Sequence, residues 1–466
     1  MVGELQTQIE NFQSRYDILI RMKLPDEYIN RMKIQLGESF LDYEKTLHED
    51  NIRALRVNTL KGSVRDFLQH NGWGITDKDR VDWCPIGFYI GKDEELPNSE
   101  ILPPGKHPYH SAGVYYIQEP SAMSVVEQLE ITPGDRVLDL CAAPGGKTTQ
   151  IAAKLQGKGI LFANEPVATR AKILAENVER MGITNCVVIS HDPAQIAERF
   201  KGYFDKILVD APCSGEGMFR KNEEAVQEWS EDNVSMCASR QKQILDSAVI
   251  MLRGGGKMVY STCTFSKEED EENASYVVSK YPFMTMQASR RIWPHECKGE
   301  GHFWASFAKE SDDVLNKAKC DKGLNVKTLQ EFAEFERLSL KRGIDNILQY
   351  DSKFLKFGDE LYVADAQLPT LDKLKVLRSG LHLGTLKKNR FEPSLALALA
   401  IKPEDATVCV SLSEHEARAY LRGESINREV PKGWCVLEID GYTLGWGKAS
   451  AGIIKNHYPK GLRNYY

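Results

Sequence analysis

No CxxC pair, no GxGxxG fingerprint, no internal repeat and no run of about eighteen apolar residues occurs in these 466 residues, and each absence removes a class of protein. Without CxxC spacing, structural zinc has no ready ligand set. Without the glycine fingerprint, a dinucleotide site has no phosphate turn. The missing apolar run leaves no segment able to cross a bilayer as a helix. Cysteine itself is sparse: ten thiols, at 84, 141, 186, 213, 237, 263, 297, 320, 409 and 435, are too scattered for a disulfide framework. Free thiols in a reducing compartment fit that scatter. The first twenty residues carry polar and acidic groups throughout, unlike a secretory signal. The expectation is a cytoplasmic protein that engages no membrane and holds no metal.

Excess positive charge is also lacking. A net charge of −6 argues against indiscriminate coating of nucleic acid, yet the charge is uneven. From Lys341 to Tyr466 there are 19 basic and 15 acidic residues, which leaves −10 for the first 340. Two stretches contain no acid: Lys373 to Phe391, with Lys375, Arg378, Lys387, Lys388 and Arg390, and Gly441 to Tyr466, with Lys448, Lys455, Lys460 and Arg463. A solvated face is the ordinary reading of such runs. Tyr442, Trp446, His457 and Tyr458 within the second tilt it toward phosphate contacts with base stacking.

A chain of this length holds two to four domains of about 100–200 residues each. Ile9, Phe12, Tyr16 and Ile20 are spaced for one helix face. From Arg53 short strands and turns alternate, with a helix through Ser63 to His70, as in a small α+β unit ending near Pro108. The segment Leu102-Pro-Pro-Gly-Lys-His-Pro108 marks its boundary. From about 111 to 307 strands and helices alternate, the pattern of a parallel sheet with covering helices. The strands are expected at Arg136–Leu140, Gly159–Asn164, Cys186–Ser190, Lys206–Asp210 and Lys257–Ser261. The helices are expected at Lys147–Leu155, Val167–Met181, Asn233–Leu252 and Lys267–Lys280. A helical linker around Leu324–Leu340 and short strands from Phe357 onward complete the chain. The expected division is 1–110, an N-terminal α+β domain; 111–310, the α/β domain; 311–390, a linker with a small accessory domain; and 391–466, a β-rich domain.

The run Val137-Leu-Asp-Leu-Cys-Ala-Ala-Pro-Gly-Gly-Lys-Thr148 reads as buried strand, glycine turn and helix start, where a cofactor approaches bare backbone. A phosphate loop ending at Lys147-Thr148 requires glycine at 141, where cysteine stands. S-adenosylmethionine, which has no phosphate to cradle, fits better. The candidate loop is Cys141, Ala142, Ala143, Pro144, Gly145, Gly146 and Lys147. Acids close the next three strands: Glu165, placed to accept both ribose hydroxyls; Asp192, placed for the adenine amino group; and Asp210. Asp192, which precedes Pro193, also reads as a plain helix cap.

Two thiols follow strands at the same sheet edge: Cys213 in Asp210-Ala-Pro-Cys-Ser-Gly-Glu-Gly217 and Cys263 in Tyr260-Ser-Thr-Cys-Thr264. Open α/β sheets bind ligands at that edge. Carbon 5 of cytosine is not nucleophilic, and an enzyme that methylates it first adds a thiolate to carbon 6. Such chemistry needs a thiolate, an acid near ring N3 and the exocyclic amine, a proton acceptor and a methyl donor. Asp210 and Lys147 are aimed at this region. Ser266-Lys-Glu-Glu269 has the pattern of a capping box, so a helix opening there would favour a thiolate at Cys263 through its dipole, although Glu268–Glu272 opposes that. Cys84, Cys186, Cys237, Cys320, Cys409 and Cys435 read as small buried hydrophobes, Cys297 stays undecided, and Cys141 contributes backbone.

Arg56-Val-Asn-Thr59, Gln118-Glu-Pro-Ser-Ala-Met123, CAAPGGKT (141–148), DAPCSGEG (210–217), STCT (261–264) and Gly299-Glu-Gly-His-Phe303, in this order, resemble the RNA cytosine-5 methyltransferases of the Nol/Nop/Sun family. The resemblance implies a Rossmann-like S-adenosylmethionine methyltransferase core, with Cys263 as nucleophile and Cys213 helping to release methylated RNA. It also implies residues 141–147, Glu165, Asp192 and Asp210 as the cofactor site, with Lys147 and Asp210 near the base and Arg170 where the family often has a basic residue. His302 stands in a segment that is often aromatic. The ending Gly445-Trp-Gly-Lys448 through Lys455-Asn-His-Tyr-Pro-Lys-Gly-Leu-Arg463 looks like the tail of bacterial RsmF-type enzymes, which implies RNA binding by the flanking domains, a PUA-like module at 391–466, and 16S ribosomal RNA or the small subunit as partner. A monomer is expected, since every domain has a task without a second copy. Transfer RNA as substrate, and a non-catalytic ribosome-assembly factor, are the competing readings.

Overall fold

The computed structural model describes residues 24–92, 101–311, 318–324, 329–348 and 350–463. The helical spacing at Ile9, Phe12, Tyr16 and Ile20, and part of the expected linker helix at 325–328, lie outside the described residues. No helix among the described residues is long and apolar enough to cross a membrane.

The central sheet is built from the strands β1 (Arg136–Asp139), β2 (Ile160–Asn164), β3 (Cys186–Ile189), β4 (Phe204–Asp210), β5 (Leu252–Thr262), β6 (Met284–Ile292), β7 (His302–Lys309) and β8 (Val376–Ser379). Their order is β6-β7-β5-β4-β1-β2-β3-β8. β1 to β5 run parallel, and β6, β7 and β8 are antiparallel to their neighbours. Strands such as Ile160-Leu-Phe-Ala-Asn164 are buried along their whole length, because helices cover both faces of a parallel sheet. The helices between them are α1 (Gly146–Leu155), α2 (Ala168–Arg180), α3 (Pro193–Arg199), α4 (Glu231–Met251) and α5 (Glu271–Lys280). The order reverses between β1 and β4, and at such a switch point the loops part to leave a crevice.

Two differences from the sequence reading concern boundaries. The strand Tyr115–Ile117 pairs with Arg53–Val57, so the first four-stranded sheet runs past Pro108 and past residue 110. β8 comes from the stretch read as linker and accessory domain, and it caps the exposed edge of β3. Arg378 on β8 is therefore not on a solvated face. It is buried and donates to the carbonyls of Ile183 at 2.6 Å and Cys186 at 3.3 Å.

The last third is more than short strands. Ser394 caps a helix at Leu395–Ala400, and Ser413, in a capping box with Glu416, starts another at Glu414–Arg422. The final sheet spans Cys409–Ser411, Gly433–Ile439, Tyr442–Ser450, Ile453–Asn456 and Ile426–Asn427 in spatial order. Tyr442, Trp446 and Tyr458, expected to offer stacking surfaces, are instead buried; Trp446 donates to the carbonyl of Ser394 at 2.9 Å. Tyr442 and Trp446 lie on the strand Tyr442–Ser450 and Tyr458 just beyond the strand Ile453–Asn456, and all three turn into the core, a direction that sequence alone does not distinguish from the outward one.

The first and last units share one apolar core. Leu55, Phe67, Trp73 and Tyr115 pack in a single cluster with Tyr420, Leu437, Ile439 and Tyr442, and the Tyr109 hydroxyl donates to Asp440 at 2.7 Å. Arg56, fully buried on the first sheet, reaches the central domain. It donates to Gln118 at 3.0 Å, to the Gly146 carbonyl at 3.0 Å and to the Thr149 hydroxyl at 2.6 Å. The turn that opens α1 is thus held from the N-terminal unit.

Candidate active site

At the carboxyl edge of the sheet, on both sides of the switch point, a crevice of about 670 Å³ is lined by Cys141, Ala143, Glu165, Asp192, Asp210, Cys213 and Cys263, with Arg170 at its rim. The strands β1 to β5 each end there, which is why residues far apart in sequence meet. Ala142, Pro144, Gly145, Gly146 and Lys147 do not line this crevice themselves; they form the turn behind it. Gly145 has φ +117°, and a Cβ there would stand 3.2 Å from Leu174, so the turn requires glycine.

Lys147, on the first turn of α1, sends its Nζ to 2.7 Å from Asp210 Oδ2. The other Asp210 oxygen accepts the Ser261 hydroxyl at 2.8 Å and lies 3.6 Å from His302 Nε2. Burial pushes the Asp210 carboxyl up, but the Lys147 ammonium and the His302 ring outweigh it and hold it well below the ordinary carboxylate range. Asp210 is therefore an acceptor. Burial, reinforced by Lys147, holds the His302 ring below its usual range, which favours the neutral form.

Glu165 is buried and accepts the Val167 N–H at 2.9 Å, with Arg170 at 3.4 Å. Asp192 caps α3, accepting the Ala194 N–H at 2.9 Å, so the plain cap reading is true of it while its side also faces the crevice. With Glu224 and Glu228 the walls thus carry five acids, against Arg170 and Arg240. They suit a ligand with hydroxyls, an amino group and a positive centre, and disfavour one rich in phosphate.

Cys213 and Cys263 come together, Sγ to Sγ 3.4 Å. The hydrogen bond to Cys263, then burial, pushes the Cys213 thiol well up, so Cys213 stays protonated and can donate to the Cys263 sulfur. Cys141 is likewise driven up by burial. Of the other thiols, Cys84, Cys186, Cys237 and Cys435 are buried as expected, whereas Cys320 and Cys409 are exposed, and Cys297 is half-buried against the Trp293 carbonyl at 3.4 Å.

The expected helix start at Lys267 is displaced. α5 begins at Glu271, and Ser266 to Asp270 form a turn, so no helix end stands directly behind Cys263. Glu269 and Asp270 point inward from that turn, and burial drives Glu269 up to about 7. Sequence reasoning missed both, because the run Glu268–Glu272 looks like a solvated helix start; the one available signal was its position a few residues after Cys263, the candidate nucleophile.

Residues 126–308 match the family described as "16S rRNA methyltransferase RsmB/F". Residues 24–120 match the N-terminal domain of 16S rRNA methyltransferase RsmF, 334–401 its first C-terminal domain, and 407–464 its PUA domain. Ribosomal RNA small subunit methyltransferase F of Vibrio vulnificus is 34% identical over 471 residues, covering 94% of this chain and 97% of that protein. The protein of the same name from Shewanella piezotolerans is 31% identical, over 93% of this chain and 96% of its own. Among solved structures, a methyltransferase homolog protein from Pyrococcus horikoshii superposes with a TM-score of 0.55 at 28% identity, over 64% of this chain and 99% of its own. NSun6 from Pyrococcus horikoshii, at 23% identity and a TM-score of 0.54, shares the fold over 62% of this chain and 99% of its own. Matched from the N-terminal sheet to the PUA domain, the chain belongs to the RsmB/F family of 16S rRNA methyltransferases, which use S-adenosylmethionine as methyl donor.

Proposed function

We propose that this enzyme methylates carbon 5 of cytosine in 16S ribosomal RNA through a transient covalent bond between Cys263 and carbon 6 of the base. The single observation that carries the reading is the contact of two thiols, 3.4 Å apart, beside an acid-walled cofactor crevice. The Cys263 thiolate forms the sulfur–carbon 6 bond, and the displaced electron pair makes carbon 5 nucleophilic. S-adenosylmethionine, when bound, would supply the electrophilic methyl group that carbon 5 takes up. Cys213, which stays protonated, then passes its proton to the departing Cys263 sulfur and takes up the carbon 5 proton in its place, so that the sulfur–carbon 6 bond breaks, the double bond is restored and both thiols end protonated. Asp210, held ionised, accepts from the exocyclic amine, and Lys147 donates toward the ring. Cys141 to Lys147 offer backbone to the cofactor, Glu165 takes the ribose hydroxyls and Asp192 the adenine amino group. To reach the thiols the cytosine must leave its stack, at a few kcal/mol in a duplex, so a rigid perfect duplex is expected to be a poor substrate.

The test is transfer of labelled methyl to deproteinised 16S RNA, isolated small subunits and bulk transfer RNA, followed by bisulfite mapping. Label at a cytosine of 16S RNA supports the reading. Label only in transfer RNA overturns the substrate, and label at another atom overturns the chemistry.

RNA contact by the C-terminal unit is read from strand register. Trp434, Lys448 and Lys455 are neighbours across three adjacent strands; Lys448 and Lys455 are exposed, and Lys448 sits 4.9 Å over the Trp434 ring. An aromatic face beside two cations suits a base with its phosphates. Lys448→Glu with Lys455→Glu is expected to weaken RNA binding and flatten its dependence on log salt by about 1.4 units, at about 0.7 per lost phosphate contact on a single strand. Cofactor affinity should not change. An unaltered salt slope in a titration series would remove this face from the RNA path.

A further inference from the structure

Two adjacent carboxylates, Glu269 and Asp270, are fully buried beside the thiols and have no part in the reaction as written above. Each is bonded to the chain neighbour of a different cysteine. Glu269 accepts the Ser214 N–H at 3.0 Å, the Ser214 hydroxyl, and the Gln241 amide at 2.7 Å. Ser214 directly follows Cys213. Asp270 accepts the hydroxyl of Thr262, which directly precedes Cys263, while its other oxygen lies 2.7 Å from Arg291. The two halves are joined once more where the Ser214 and Thr264 hydroxyls meet at 2.7 Å, and where the Gly217 N–H donates to the Cys263 carbonyl at 2.8 Å. A buried carboxylate carries a desolvation cost that an apolar side chain of the same volume avoids, so stability alone is a weak reason for two of them here.

We propose that Glu269 and Asp270 are positioning residues that set the separation of the two thiols, Glu269 by anchoring the loop that carries Cys213 and Asp270 by anchoring the strand end that carries Cys263. The proposal rests on the two-thiol reaction proposed above. Because the two carboxylates hold different thiols, they govern different steps. Loosening Cys213 retards release after the sulfur–carbon bond has formed. Loosening Cys263 retards formation of that bond. A merely structural role would lower both steps together.

The experiment measures the covalent enzyme–RNA species on a denaturing gel, with S-adenosylmethionine and 16S RNA, alongside methyl transfer. Calorimetric cofactor affinity reports that each variant is folded. Glu269→Leu is expected to raise the adduct fraction at least about fivefold over wild type while turnover falls, as in Cys213→Ala. Glu269→Gln can still accept from both N–H groups and donate to the Ser214 hydroxyl, so it should return turnover to within about threefold. Asp270→Leu is expected to slow adduct formation in a single turnover, with no accumulation. If Glu269→Leu loses methyl transfer without adduct, or Glu269→Gln behaves like Glu269→Leu, the assignment of Glu269 is overturned. Adduct accumulation in Asp270→Leu overturns that of Asp270. Cys213→Ala, run in parallel, separates the two levels: no adduct there means the two-thiol reaction itself is wrong, whereas adduct there but not in Glu269→Leu refutes only the positioning. Should a leucine variant fail to bind cofactor, Ser214→Ala removes the hydroxyl bond to Glu269, leaving the Ser214 N–H and Gln241 bonds, and Thr262→Val removes the hydroxyl bond to Asp270. They are expected to show the same split in smaller measure, and its absence counts against the proposal equally.

Discussion

Cys263→Ala is expected to lower methyl transfer by about four orders of magnitude or more, equivalent to about 5 kcal/mol of barrier, with cofactor affinity unchanged within about twofold. The size follows from the chemistry. Without a sulfur to add to carbon 6, carbon 5 stays electron-poor and has no alternative route to the methyl group. The unchanged affinity follows from the geometry: Glu165, Asp192 and the Cys141–Lys147 turn lie on strands and loops that do not depend on this side chain. Single-turnover transfer of labelled methyl, with calorimetric titration of the donor, measures both quantities. Transfer within tenfold of wild type would sink the nucleophile assignment, and a large loss of donor affinity would mean that the substitution had disturbed the crevice.

Cys213→Ala is expected to give the opposite kind of failure, a burst of about one methyl group per enzyme followed by turnover slower by about two orders of magnitude. The protonated Cys213 thiol is within contact of the Cys263 sulfur, where it can serve the departure of that sulfur from the base. Removing it leaves bond formation and strands the methylated base on the enzyme. The covalent species should appear on a denaturing gel and survive until nuclease digestion. A linear time course without a shifted band would place Cys213 outside the release step.

How much of this was legible in the sequence divides along physical lines. β1 to β4 were readable because each is a short apolar run, which a strand buried on both faces imposes, with an acid at its end or up to three residues beyond it. The meeting of Cys213 and Cys263 was readable for the same reason, since two parallel strands of one sheet must deliver their ends to one edge. β6 was not readable: Met284-Thr-Met-Gln-Ala-Ser-Arg-Arg-Ile292 is largely exposed, and its pairing with β7 is decided by tertiary contact. β8 lies far along the chain, and no local signal announces that Val376–Ser379 completes a sheet begun at Arg136. Glu269 and Asp270 were hidden by their composition, because acids are buried only where partners from elsewhere in the fold receive them. The inward-facing Trp446 and Tyr442 illustrate the reverse error, in which aromatic residues near lysines were assigned to a surface although only their strand register decides the side.

The core shared by the first and last units has a consequence for biosynthesis. Domains of a large protein tend to fold in order as the chain emerges from the ribosome. Here Leu55, Phe67 and Trp73 can form their sheet and helix early, but the apolar face they present waits for Leu437, Ile439 and Tyr442 at the far end of the chain. Throughout elongation of the central domain the nascent protein therefore carries an uncovered apolar surface at its oldest end, a natural place for a chaperone to hold. A message truncated before Gly433 would keep Tyr420 and Leu421 but lose Leu437, Ile439 and Tyr442, so part of the N-terminal apolar face would stay uncovered and favour aggregation or degradation.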